Sequence, residues 1–250
     1  MAIDHALQMA FERDGFVHLP AFINAAEMTR IEAEVARIIE DVVPTMAKSE
    51  AMYEDYDRPE SLKQVNVPAA ETPQLVALRQ GATMLELAGT LLADRALPQS
   101  LELFIKPPEL GTPTPPHQDG FYFCLKPNIA LTAWLALDDM DDENGTLHYI
   151  AGSHKNGILS HSASCVLGFS QGLGADGLTE SGREVACPLR RGDLLVHHCS
   201  TIHRAGGNTS ARLRRALAMV YYGESAERDE KAFARYMESA RAQQQDLGAR

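Results

Sequence analysis

Two histidines far apart in the chain impose the strongest constraint on how it folds. The run Pro115-Pro116-His117-Gln118-Asp119-Gly120 carries an H-x-D triplet, and His203 stands far downstream in Thr201-Ile202-His203-Arg204-Ala205. On an extended strand, residues i and i+2 share a face. The His117 imidazole and the Asp119 carboxylate therefore converge, and a second strand has to bring His203 to the same point. Two histidines and one carboxylate fill half of an octahedron and leave the other half open, the facial triad suited to non-haem Fe(II). The competing reading makes His117 and Asp119 a hydrogen-bonded loop pair and His203 an ordinary strand histidine. His148, His154, His161, His197 and His198 are read as structural or surface residues.

A second signal lies just beyond His203. Arg214-Arg215-Ala216-Leu217-Ala218-Met219-Val220-Tyr221 reads as a strand that starts on two arginines. In regular pleating Arg214 and Arg215 face opposite ways. Other segments with strand character are 101–105, 130–137, 146–150, 193–197 and 201–205.

Together with Ile105-Lys106-Pro107-Pro108, Leu131-Thr132-Ala133-Trp134, Glu143-Asn144-Gly145-Thr146-Leu147, Gly152-Ser153-His154 and Asn208 through Arg215, these residues carry a family resemblance. From about residue 10 to about residue 222 the chain resembles the phytanoyl-CoA dioxygenase family of Fe(II)- and 2-oxoglutarate-dependent oxygenases. The resemblance implies a double-stranded β-helix, a cupin-like jelly roll, with N-terminal helices packed on one sheet and a C-terminal helix. It implies His117, Asp119 and His203 as iron ligands and Arg214 as the anchor of the distal carboxylate of 2-oxoglutarate. An arginine fork matches a carboxylate with paired donors, which leaves Arg215 as an internal control. By similarity, Lys63 and Trp134 also line the cosubstrate pocket, although Trp134 equally suits core packing and Lys63 a solvated surface.

The implied reaction consumes O2, releases succinate and CO2, and hydroxylates or otherwise oxidises a small molecule. Two rivals stay open: a metal-dependent jelly-roll hydrolase, and a non-catalytic small-molecule-binding protein of the same fold. Halogenating relatives lack the carboxylate that Asp119 supplies, so halogenation is disfavoured. Two positions depart from the family. Ala205 replaces a serine hydroxyl common in relatives, and Glu102 stands where some have methionine, which favours a polar or cationic substrate. The run Phe121-Tyr122-Phe123, if extended, turns Phe121 and Phe123 toward the substrate and Tyr122 away. The glycine-rich segment 156–182 reads as a lid on the substrate side, or as a plain surface loop.

Composition narrows the rest. The net charge of −11 over 250 residues argues against a nucleic-acid surface. A local cluster of Arg204, Arg212, Arg214 and Arg215 still suits a small anion. No apolar run reaches transmembrane length and Met1 to Asp14 has no signal-peptide core, so a cytoplasmic location is expected. Cys124, Cys165, Cys187 and Cys199 form no C-x-x-C pair and read as reduced packing residues. Arg191-Gly192-Asp193 reads as a turn into a strand.

One domain over 1–250 is expected, in an α+β chain with a helical part at about 1–95, a jelly-roll core at about 99–223 and a closing helix at about 224–245. Asn24 with Glu27 signals a helix start, Thr72-Pro73 opens a helix running to about Leu91, 45–60 reads as irregular, and Asn144-Gly145 reads as a hairpin turn.

Overall fold

The computed structural model describes residues 5–166, 169–173 and 183–246. It begins with α1 (His5–Asp14), β1 (Phe16–Leu19) and α2 (Ala25–Arg37). The Asn24 side chain accepts from the Glu27 backbone N–H at 3.0 Å, which satisfies a donor left open in the first turn. Met28, Ile31 and Val35 follow the helical period and are buried. Two strands, β2 (Ala51–Tyr53) and β3 (Leu62–Asn66), then form where the polar sequence reads as irregular or carries no strand signal.

The helix expected after Pro73 is two helices, α3 (Pro73–Arg79) and α4 (Ala82–Leu92). The cause is tertiary. The Arg79 carbonyl, which a continuing helix would use internally, accepts from the buried Tyr221 hydroxyl at 2.8 Å. Gly81 meanwhile takes an extended conformation (φ −63°, ψ 145°).

The chain continues through β4 (Ala96–Lys106), β5 (Thr114–His117), α5 (Asp119–Phe123), β6 (Leu125–Lys126), β7 (Ala130–Ala136), β8 (Leu147–Ile150), β9 (Ser162–Val166), β10 (Phe169–Gly172), β11 (Glu184–Cys187), β12 (Leu194–His198), β13 (His203–Ala205), β14 (Arg214–Gly223), β15 (Glu227–Arg228) and a C-terminal helix (Glu230–Asp246). That last helix starts later than expected because Glu227 and Arg228 pair with Lys126 and Leu125.

Two antiparallel sheets make the α+β jelly roll. The larger runs β1-β12-β7-β14-β4-β3-β2 and the smaller β11-β8-β13-β5. Strands β1 to β3 thus belong to the larger sheet, so the β part reaches well into the region expected to be helical. Period-2 alternation divides the core. Leu217, Met219 and Tyr221 of β14 join Leu103 and Leu135 against Met28, Val35, Leu75 and Leu87 of the helices. Trp134, Ala136, Ala216 and Ala218 face the smaller sheet with Leu147, Tyr149 and Ala205.

In the 156–182 segment, the described part forms the β9–β10 hairpin. It lies beside β5, and the Leu173 N–H donates to the Pro116 carbonyl at 2.8 Å. Gly168, Gly174, Gly177 and Gly182, on which the lid reading leans, lie outside the described residues, as does the Cys165 side chain. The Arg191-Gly192-Asp193 turn is structural: Gly192 has φ +91°, and the Asp193 carboxylate accepts from the backbone N–H groups of Ala21 and Arg190.

Asn144-Gly145 is a turn but not a hairpin. It carries the chain from β7 in one sheet to β8 in the other. Buried Asn144 ties this corner by accepting from the Asp141 N–H and donating to the Asp139 carbonyl, both at 2.8 Å. Gly145 has φ +87°, and a Cβ there would stand 2.5 Å from the Gly206 carbonyl oxygen. Gly145→Ala is therefore expected to cost about 1–3 kcal/mol, read as a lower thermal midpoint. An unchanged midpoint would show that the corner relaxes freely.

Candidate metal centre

Strand β5 is the edge of the smaller sheet, which suits Pro115 and Pro116, residues without an N–H to give a second neighbour. Its partner β13 sets His203 directly opposite His117, with ring centroids 4.2 Å apart. Gln118 stays extended (φ −128°, ψ 124°). Asp119 therefore returns to the His117 face, though as the first residue of α5 rather than on a strand. One ligand atom from each of His117, Asp119 and His203 lies within 4.8 Å of the others, the one such cluster of three or more among the described residues.

Each ligand atom is aimed by a neighbour. His117 Nδ1 donates to the Pro115 carbonyl at 2.8 Å, and His203 Nδ1 to the Thr201 carbonyl at 3.0 Å. Both Nε2 atoms then carry lone pairs, each 3.5 Å from Asp119 Oδ1. Asp119 Oδ2 is already engaged, accepting from Thr132 Oγ1 at 2.7 Å and His197 Nε2 at 3.0 Å. His197 Nδ1 accepts from the Tyr149 hydroxyl at 2.8 Å. The carboxylate thus divides its work, with Oδ2 held by the protein and Oδ1 turned toward the histidines. Burial alone would raise its pKa, but His203, His117 and His197 hold it well below the usual carboxylate range. Burial, with help from His117, keeps His203 well below the ordinary histidine range.

These groups open into a cavity of about 250 Å³. Arg214 lines it, 2% exposed, and its Nε and Nη1 have no hydrogen-bond acceptor among the described residues. Burial lowers its pKa to about 9, against the pull of Asp138. Trp134 lines the same cavity with an equally unsatisfied Nε1, and the guanidinium carbon lies 5.6 Å from its ring centroid. Buried donors left open this way call for an acceptor-rich ligand.

Arg215 points away and forms a double hydrogen bond with Asp138. Arg204 pairs with Glu184, and Arg212 with Asp141. The basic cluster of the sequence is dispersed, because strand pleating and separate acidic partners divide it. Lys63 is buried rather than solvated, its Nζ 3.1 Å from Glu54 and 2.7 Å from the Thr112 hydroxyl. Lys106 lines the cavity too, and burial next to Arg214 and Lys63 lowers it to about 6. Its Nζ is already given to the Thr112 carbonyl, which leaves Arg214 as the cation with open donors. Ala205 lines the wall and offers no hydroxyl there.

The aromatic run departs from expectation. Because α5 is a helix, the side chains three and four residues after Asp119 share its face. Tyr122 and Phe123 line the cavity, and Phe121 does not. Phe121 stacks on His161, centroids 4.2 Å apart, and meets Tyr236 edge-on. Glu102 lines the cavity from β4, and Tyr236 closes in from the C-terminal helix.

Sequence reasoning reads His197 only as a structural or surface residue and assigns no role to Thr132, Tyr149 or Gln118. Buried Gln118 pins the turn between the two ligands by donating to the Gly157 and Ser200 carbonyls and accepting from the Leu159 N–H. For His197 and Thr132 the available signal is parity along β12 and β7, which places them on the inner face with Leu195 and Trp134.

Residues 11–216 match the phytanoyl-CoA dioxygenase (PhyH) family. Over 122 residues the chain is 34% identical to phytanoyl-CoA dioxygenase domain-containing protein 1 of Bos taurus, covering 47% of this chain and 42% of that protein. The match spans less than half the length of that relative. The fold is similar to that of the epimerase SnoN in complex with Fe3+, alpha ketoglutarate and nogalamycin RO, at 26% identity and TM-score 0.70, covering 88% of this chain and 84% of that one. It is also similar to EvdO2 from Micromonospora carbonacea var. aurantiaca, at 28% identity and TM-score 0.73, covering 89% and 92%. Most of the chain lies within the matched span and carries the His117, Asp119 and His203 cluster inside it, so the chain belongs to the phytanoyl-CoA dioxygenase family.

Proposed function

We propose that the chain is an Fe(II)- and 2-oxoglutarate-dependent oxygenase that oxidises a small molecule and releases succinate and CO2. The observation that carries this reading is the pairing, in one cavity, of a three-ligand cluster with the unsatisfied donors of Arg214 and Trp134. His117, Asp119 and His203 hold the metal. Arg214 takes the distal carboxylate of 2-oxoglutarate by its planar fork, beside the Trp134 N–H. Iron, when bound, supplies the coupling of O2 reduction to decarboxylation of the cosubstrate and oxidation of the substrate. The residues around it do the positioning. Thr132 and His197 keep Asp119 Oδ2 occupied, so the carboxylate presents one oxygen. The apolar surfaces of Phe104, Leu147 and Val220 limit water in the cavity. Phe123, Glu102 and Tyr122 face the substrate, the last in place of Phe121. The chain acts as one unit in the cytoplasm, a setting that agrees with the free thiols of Cys124, Cys187 and Cys199.

A metal-dependent hydrolase would leave Arg214 without a use, and the intact cluster of His117, Asp119 and His203 argues against a non-catalytic binding protein of the same fold. Succinate formation that needs Fe(II), 2-oxoglutarate and O2 together is the expected result. Its absence when O2 is admitted to protein loaded anaerobically with Fe(II) and 2-oxoglutarate under reducing conditions would sink the proposal.

Removing one partner of a buried charge pair costs about 2–5 kcal/mol. Arg214→Ala is accordingly expected to weaken 2-oxoglutarate binding roughly 30-fold or more, while Arg215→Ala leaves it within a few-fold. Equal losses in a cosubstrate titration would refute the division of roles between the two arginines.

His197→Phe releases Asp119 Oδ2 without touching a metal ligand. Loss of such a supporting hydrogen bond is expected to lower metal affinity about 10- to 100-fold, with Tyr149→Phe a milder version. Direct Mn(II) titration by electron paramagnetic resonance reads this independently of turnover, and wild-type affinity in His197→Phe would show that Thr132 alone orients the carboxylate.

A further inference from the structure

The charged side chains lining the cavity are not alike in how they are satisfied. Lys63 is paired with Glu54. Lys106 is hydrogen-bonded to the Thr112 carbonyl. Asp119 is enclosed by three histidines. Arg214 awaits an anion. Glu102 is the remaining one, and no arginine, lysine or histidine pairs with it among the described residues. Its oxygens accept only from neutral donors, the Gln64 amide at 3.1 Å and the Ser100 hydroxyl at 3.0 Å.

Strand register separates the two unsatisfied charges. Arg214 stands opposite Lys106, and Glu102 stands opposite Ala218, four residues further along β14. At about 3.3 Å per residue that displacement is about 13 Å. Ala218, opposite Glu102, lines the cavity with a side chain too small to fill it. Aromatic rings line the same cavity: Tyr122, Phe123 and Tyr236, with Tyr122 and Tyr236 meeting edge to face at 5.6 Å. A carboxylate without a counter-charge in a cavity that also carries aromatic rings is a chemical match for a positively charged nitrogen.

We propose that the substrate carries a cationic nitrogen, a protonated amine or quaternary ammonium, which sits against Glu102 in the cavity lined by Tyr122, Phe123 and Tyr236. This rests on the oxygenase reading and deepens it by assigning the substrate class. The charge on Arg214 is then met by the cosubstrate and that on Lys63 by Glu54, and Glu102 is left for the substrate to pair with. Burial raises the Glu102 pKa, with a smaller push from Asp119 and against the hydrogen bonds from Ser100 and Gln64, so a cation at this position stabilises the ionised form that an empty cavity disfavours.

The test uses the full chain loaded anaerobically with Fe(II), with and without 2-oxoglutarate. Two isosteric pairs are titrated by calorimetry: choline against 3,3-dimethylbutan-1-ol, and butylamine against butan-1-ol. The expected result is at least tenfold tighter binding of each cation over its neutral partner, and loss of that preference in Glu102→Gln. The variant must retain the wild-type affinity for 2-oxoglutarate, which shows an intact cavity; Glu102→Asp, which keeps the charge, is expected to retain part of the preference. Equal binding within the pairs, a preference that survives in Glu102→Gln, or no cation binding at millimolar concentration would each overturn the proposal. A cation preference dependent on Glu102 in a chain that fails to bind 2-oxoglutarate would support this site while sinking the oxygenase reading.

Discussion

The antiparallel pairing of β13 with β5 is the contact on which the centre depends. It places His203 opposite His117, and no local feature of either segment could do so. Edge position permits Pro115 and Pro116, and their rigidity narrows the backbone just before the first ligand. Gln118, fully buried and hydrogen-bonded on both sides of its amide, then fixes the step from His117 to Asp119. A register slip of one residue would reverse every side chain and dismantle the site.

The larger sheet supplies a different part of the design. On its outer face Leu103, Leu135, Leu217 and Met219 pack against the helices. Inside, Ala218 lines the cavity beside Trp134 and leaves room that a larger residue would close. The polar groups around the cavity are graded: Thr132 and His197 near Asp119, Arg214 at one end, Glu102 at the flank. No helix among the described residues is long and apolar enough to cross a membrane.

Much of this was legible because it depends on local periodicity. The i, i+2 relation joined His117 to Asp119, and the same parity separated Arg214 from Arg215. Asn24 capped its helix through a side chain three residues from its partner. Readings failed where a distant element intervened. Tyr221 takes the Arg79 carbonyl and divides the helix after Pro73. Two sheets compete for the segments flanking Asn144-Gly145, so a hairpin signal becomes a crossover. Phe121 and Tyr122 exchanged places because the chain coils immediately after Asp119.

The sequence by itself determined the residue types of the candidate cluster, the strand parities and the family, since these follow from residue chemistry and a period of two. Only the tertiary structure decided which groups share a cavity and which are neutralised elsewhere. Arg204, Arg212 and Arg215 look like Arg214 in the sequence, yet each finds a carboxylate outside the cavity. His197 looks like His198, yet only His197 reaches Asp119. The physical reason is that charge compensation and hydrogen bonding act through space, between strands whose neighbours in the sheet are far apart in the chain.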